Sequence, residues 1–140
     1  MNSWIIPNKE ALELEYYVEV ELKGHKDWFP TSEAFLDACA VGEVTDLTAD
    51  MNKKVAYRSN TKTKDQLLNL IRGYASYPEF RNEDTIDNLY ERIGNDKSMN
   101  MPIVLDFGDD AYRVLCGNTR LDVAFQLGQI PKVLIVKVNK

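Results

Sequence analysis

The run Pro102-Ile103-Val104-Leu105-Asp106-Phe107, the turn Gly108-Asp109-Asp110, the run Tyr112-Arg113-Val114-Leu115-Cys116 and the segment Gly117-Asn118-Thr119-Arg120-Leu121-Asp122-Val123-Ala124-Phe125-Gln126-Leu127-Gly128 decide how this chain folds. Two short apolar runs on either side of a Gly-Asp-Asp turn read as a β-hairpin. After them Leu121, Ala124 and Phe125 recur at helical spacing and Gly128 ends the pattern, so a helix from about Thr119 to Leu127 follows the second strand. Pro131 then opens a last apolar strand, Val133-Leu134-Ile135-Val136-Lys137-Val138. A helix between strands points to a crossover onto the sheet rather than a simple meander. The expected class is α+β, a small mixed sheet with flanking helices.

Upstream, Thr63-Lys64-Asp65-Gln66 fits the capping box, and Leu67, Leu68, Ile71 and Ala75 carry a helix from about Lys64 to Ser76. Tyr77-Pro78-Glu79-Phe80-Arg81 breaks it. Asn82 caps a second helix whose stripe is Ile86, Leu89, Tyr90 and Ile93, ended by Gly94; Tyr74, Tyr77 and Phe80 read as packing between the two helices. Val55-Ala56-Tyr57 is a short strand inside a basic run that holds Lys53, Lys54, Arg58, Lys62 and Lys64. Pro30-Thr31-Ser32-Glu33 starts a helix with Ala34, Phe35, Ala38 and Cys39 on its inner face, and Gly42 ends it. From Leu12 to Leu22, alternation of Leu14, Tyr16, Val18, Val20 and Leu22 with Glu13, Glu15, Tyr17, Glu19 and Glu21 predicts a half-buried strand with an acidic outer face.

A length of 140 residues with 44% apolar and 28% charged residues describes one compact unit. Residues 1–54 are expected as an acidic extension packed on a core of residues 55–140. The first 50 residues carry a net charge of −8 and the rest +3, for −5 overall. Such a balance disfavours a surface built to neutralise duplex DNA. With no long apolar run and no basic-then-apolar leader, the chain reads as cytoplasmic, without a membrane partner. Cys39, Cys116 and His25 are too few for a Cys/His metal cluster, so no protein metal site is expected and both thiols are taken as reduced.

Cys116-Gly117-Asn118-Thr119-Arg120 carries the chemistry. It sits where a strand turns through glycine into a helix, and backbone N–H groups at such a start favour an anion. Gly117 lets backbone come close to a phosphate, Asn118 or Thr119 can cap the helix or bond an oxygen, and Arg120 can fork onto a phosphate or carboxylate. An ordinary capped helix with Arg120 in a structural ion pair fits the spacing equally well.

The segment from Gly117 to Gly128, followed by Ile130-Pro131-Lys132-Val133, resembles the G-x-x-R-L-x-A-A-x-x-L-G-x-x-x-V signature of the ParB/sulfiredoxin superfamily. The Met101-Pro102-Ile103-Val104 strand and the helix capped by Thr63 occur in the family's order, and the resemblance spans roughly Val55 to Val138. It implies a nucleotide phosphate against Gly117, Asn118, Thr119 and Arg120, with Arg58, Lys62 and Lys64 bordering it, and a nucleoside triphosphate (ATP or CTP) with Mg²⁺ as cofactor. For hydrolysis, phosphoryl transfer or nuclease chemistry, Arg120 and Asp122 would be the catalytic candidates. The chain departs from sulfiredoxins, which carry cysteine directly after the glycine where this chain has Asn118. It departs from partition ParB proteins, which carry Glu-Arg-Arg there and a downstream helix-turn-helix. Two other readings stand beside nucleotide binding: a non-catalytic phage or mobile-element protein engaging a host protein through its acidic surface, and a component of nucleic-acid processing or DNA modification.

Overall fold

Along the first strand of the hairpin, Ile103 and Leu105 alternate with Val104, and the pleat sends them to opposite faces of a sheet. The computed structural model describes residues 4–56, 58–74 and 82–138. In chain order the elements are β1 (Trp4–Ile5), α1 (Lys9–Glu15) running on as a π-helical segment (Tyr16–Glu21), α2 (Ser32–Ala40), β2 (Glu43–Asp46), α3 (Ala49–Asn52) and β3 (Val55–Ala56). They continue with α4 (Lys64–Arg72), α5 (Glu83–Gly94), β4 (Met99–Asn100), β5 (Ile103–Asp106), β6 (Tyr112–Cys116), α6 (Asn118–Gln126) and β7 (Lys132–Lys137).

The hairpin forms as expected: β5 and β6 pair antiparallel. α6 carries the chain across to β7, which lies parallel to β5 on its other side. The sheet runs β2-β7-β5-β6-β3, with β2 antiparallel to β7 and β3 parallel to β6, while β1 and β4 form a small parallel pair of their own. β2 lies within residues 1–54, so that stretch supplies a strand to the central sheet as well as packing on it. Tyr57 and the expected helix break at Tyr77-Pro78-Glu79-Phe80-Arg81 lie outside the described residues.

Both faces of the sheet are covered. On one, Ile103, Leu105, Leu134 and Val136 meet Phe29, Phe35 and Cys39 from α2 and its approach, together with Leu12, Tyr16 and Val20. On the other, Val104, Val114 and Val133 meet Leu121 and Phe125 of α6. The back of α6, at Val123 and Ala124, packs against Leu67 and Ile71 of α4 and Ile86 and Ile93 of α5. α6 is therefore an inner helix with apolar groups on two sides, held between a sheet and a helical pair.

Caps set the helix starts. Thr31, Thr63 and Asn82 accept hydrogen bonds from Ala34, Gln66 and Thr85 backbone N–H groups, as their sequences predict. Gln66 also accepts from the Lys62 N–H at 2.7 Å, one residue earlier than the ideal capping box. α4 runs through Arg72 and is capped by Gly73, shorter than the expected span to Ser76.

The expected strand over Leu12 to Leu22 is instead a helix, opened by Asn8, whose side chain accepts from the Ala11 N–H at 2.9 Å. The alternation is misleading because even-numbered positions split between opposite faces of a helix. Leu12, Tyr16 and Val20 recur every fourth residue and are buried, and the Tyr16 hydroxyl donates to the Phe29 carbonyl. Leu14, Val18 and Leu22, which a strand would place inward with them, face outward. Leu12→Ala is therefore expected to destabilise the fold by about 2–5 kcal/mol, with Leu14→Ala nearly neutral. Urea unfolding of the two variants checks this; equal losses would restore the strand.

Candidate functional site

After β3, residues 58–63 run without regular secondary structure across the first two turns of α6. Asn60, at φ +51°, turns the backbone between Ser59 and Thr61, and both of these reach the helix, where Asp122 is buried. The Asp122 carboxylate accepts from Arg58 Nη1 at 2.9 Å on one oxygen. On the other it accepts from Ser59 Oγ at 2.7 Å and from the Thr61 N–H and hydroxyl at 3.0 and 2.6 Å. The Arg58 and Asp122 side chains are 5% and 0% exposed, so this is a buried ion pair with its lone pairs well used.

The same network extends in both directions. Arg58 Nε donates to Asn52 at the end of α3 at 2.6 Å, its Nη1 reaches the Asn118 side-chain oxygen at 3.3 Å, and its guanidinium carbon stands 5.4 Å from the centre of the Phe125 ring. The Ser59 N–H also donates to Asn118. One helical turn beyond Asp122, Gln126 Nε2 donates to the Thr61 hydroxyl and to the Thr61 and Thr63 carbonyls, and its oxygen accepts from the Tyr90 hydroxyl of α5. Burial and the nearby Asp122 charge push the Tyr90 phenol up to about 12. Arg58 Nη2 is buried and has no hydrogen-bond partner among the described residues.

Gly117 caps α6 in the left-handed region, at φ +96°. A β-carbon there would lie 2.5 Å from the Pro102 β-carbon and 2.9 Å from Arg120 Nη2, so this chain's own packing requires glycine. The close approach expected for a phosphate is made, on that side, by Pro102 and Arg120. The Arg120 guanidinium folds back over the start of its own helix; half-buried, it makes no ion pair among the described residues. Gly117 supplies no side-chain cap. The Asn118 oxygen serves Arg58 and Ser59 instead, and Thr119 is buried.

Of the expected site residues, the structure brings Arg58, Asn118 and Asp122 into one network and sets Gly117, Thr119 and Arg120 beside it. Lys62 donates to Asn60 at 3.1 Å, and Lys64 is turned to α5, paired with Asp87 at 2.5 Å and set over the Tyr90 ring. Asp122, expected as a catalytic candidate, has both oxygens engaged by the chain itself and holds Arg58, Ser59 and Thr61 in place. Asn52, Ser59, Thr61, Gln126 and Tyr90 were missed. Their signal was the Ser-x-Thr alternation and the four-residue spacing of Asp122 and Gln126, which only a known partner makes legible.

Among the described residues no three His, Cys, Asp or Glu side chains gather to hold a metal, and the donor set around Asp122 does not fit a protein-held magnesium. Burial pushes the Cys39 and Cys116 thiols up to about 12. The Glu15 and Glu19 carboxylates lie close enough to Cys116 to add to its rise, and Arg120 close enough to oppose it. No helix among the described residues is long and apolar enough to cross a membrane. The chain matches no protein-family model, no curated protein and no solved structure.

Asp122→Ala is expected to destabilise the protein by about 3–5 kcal/mol, because Arg58 would be left buried and uncompensated. Arg58→Met combined with Asp122→Leu should recover most of that loss in urea unfolding. The two thiols give a pH signature. An unfolded thiol titrates near ~8.5, while the folded ones hold their protons to about 12. Their contribution is complete below the unfolded value and is lost as pH rises toward the folded one. Thiolate absorbance is expected to stay absent from the folded protein at about pH 9 and to appear on unfolding.

Proposed function

We propose that residues 55–138 form a ParB/sulfiredoxin-like domain that binds a nucleotide or another phosphorylated ligand at the start of α6. The order of strand, capped helix, hairpin, glycine turn, helix and final strand supports the likeness. One observation carries the binding: Arg58 Nη2, buried and without an acceptor among the described residues, belongs to a guanidinium held against the first residue of α6 through Asn118. A buried charged donor left unmade is costly, and an anion at this corner would satisfy it together with the first N–H groups of α6. Arg120, free of any ion pair with the described residues, supplies the second guanidinium.

Binding is the part of the activity these residues serve. Asp122 holds Arg58 and the 58–61 stretch in place, and Arg120 makes no ion pair with the described residues. Magnesium, in this reading, arrives on the phosphates. Cys116 is a protonated thiol on β6, which suits neither thiol phosphoryl chemistry nor metal binding.

Calorimetric titration with ATP, CTP, other nucleotides and inorganic phosphate, with and without Mg²⁺, tests the proposal. Binding tighter than about 1 mM is expected, weakened about tenfold or more by Arg120→Ala. No binding in that range, or binding unchanged in Arg120→Ala, overturns it. Phosphate release measured in the same samples separates a binder from a hydrolase.

A further inference from the structure

The first helix has two apolar faces, and the fold uses one. Leu12, Tyr16 and Val20 are buried, while Leu14, Val18 and Leu22 are 61%, 37% and 62% exposed. In an α-helix a row of every fourth residue drifts around the axis. The π-helical segment, where the Leu22 N–H reaches back to the Tyr17 carbonyl at 2.9 Å, turns less per residue and carries the row back. Rows at four-residue spacing therefore run straight along α1 and its continuation. Residues 12, 16 and 20 form the inner row, 14, 18 and 22 the outer one, and Glu13, Tyr17 and Glu21 one flank. That flank borders an open groove of about 400 Å³, which Lys26 also lines.

We propose that two copies of this chain meet along the outer row, antiparallel, about a two-fold axis at Val18. Leu14, Val18 and Leu22 read the same in both directions, as a self-complementary contact requires. With the axis at Val18, Leu14 of each copy lies against Leu22 of the other, and Val18 lies on Val18. An axis at Tyr16 sets Leu22 against Glu10 and Lys9 against Lys23, and an axis at Val20 sets Leu14 against Lys26. The two-fold places each flank beside its own copy. Glu13 of one copy then arrives just past Glu21 of the other, on the side where Lys26 stands 3.3 Å from Glu21. Lys26 thus bridges its own Glu21 to Glu13 of the second copy. The pairs within one chain, Lys9 with Glu13 at 3.8 Å and Lys26 with Glu21, are exposed contacts worth little, and they leave each lysine able to serve a second acid. Together these give the flank two lysines and two glutamates from each copy, a neutral set that offers a foreign basic helix no excess of acid. A contact of this length belongs with small, transient interfaces, so monomer and dimer exchange with concentration. The dimer does not depend on an anion at the start of α6.

Sedimentation equilibrium of the full chain, without nucleotide, tests this. A reversible monomer–dimer equilibrium with Kd tighter than about 1 mM is expected, weakened about tenfold or more by Leu14→Ser with Leu22→Ser. Glu13→Lys and Lys26→Glu should each weaken it too, because in either variant like charges meet at both ends of the contact. An equimolar mixture of those two single variants should recover the dimer, since each copy then offers the other an opposite charge at both ends. All four positions are exposed, so in dilute solution circular dichroism melts of the variants should match the parent. A parent chain that stays monomeric through that range, or a dimer unchanged in the double serine variant, overturns the proposal. So does a mixture that associates no better than its separate components.

Discussion

The Asp122 carboxylate fixes how three remote parts of the chain meet. It draws in Arg58, Ser59 and Thr61, and through Arg58 it reaches Asn52 at the end of α3 and Asn118 at the start of α6. Removing such a carboxylate from water costs several kcal/mol, and only a full set of well-placed donors offsets it. Here both oxygens have them. Residues 58–63 have no apolar side chain, so this polar set, more than packing, decides their path. That path in turn sets where α4 begins, because Thr63 and Gln66 follow directly and Gln126 binds the Thr61 and Thr63 carbonyls.

α6 ties the polar network to the core. Leu121 and Phe125 fasten it to the sheet, while Val123 and Ala124 fasten it to α4 and α5. A ligand site at the first turn of such a helix is held on both sides, which favours a preset geometry. The potential around that turn is mixed, not simply positive. Arg58 is matched by Asp122, Lys64 by Asp87, and the Glu15 and Glu19 carboxylates act on Cys116. In the site proposed above, Arg120 and the helix start would be what attracts an anion, and selectivity would depend on hydrogen-bond geometry more than on net charge.

The last third of the chain was legible because local signals agreed. The Gly-Asp-Asp turn, the apolar runs and the Gly117 and Gly128 positions all point to hairpin, helix and crossover strand, and all of them form. The caps at Thr31, Thr63 and Asn82 were legible for the same reason. β2 was not, since Glu43-Val44-Thr45-Asp46 has one large apolar residue and owes its strand state to the neighbouring β7. The first helix was misread because Tyr and Val at even positions imitate a strand while obeying a four-residue repeat. At the site, residue types at the Gly117 turn suggested an anion, and the structure joins Arg58 and Asn118 across 60 residues of sequence. The pairing of Asp122 with Ser59 and Thr61 could not be read, because nothing local announces which distant donors a buried carboxylate will take.

Strand order also bears on how the chain is assembled in the cell. β7, the last of the five strands to leave the ribosome, occupies an inner place, between β2 and β5. Until it emerges, β2 has no neighbour in the sheet, and the β5–β6 hairpin with the short β3 beside it is too small to persist alone. Glu43 must wait for Ile135 before its strand is formed. Closure of the sheet therefore waits for β7, and the nascent chain before that moment presents unpaired strand edges to whatever holds it, chaperone or neighbour.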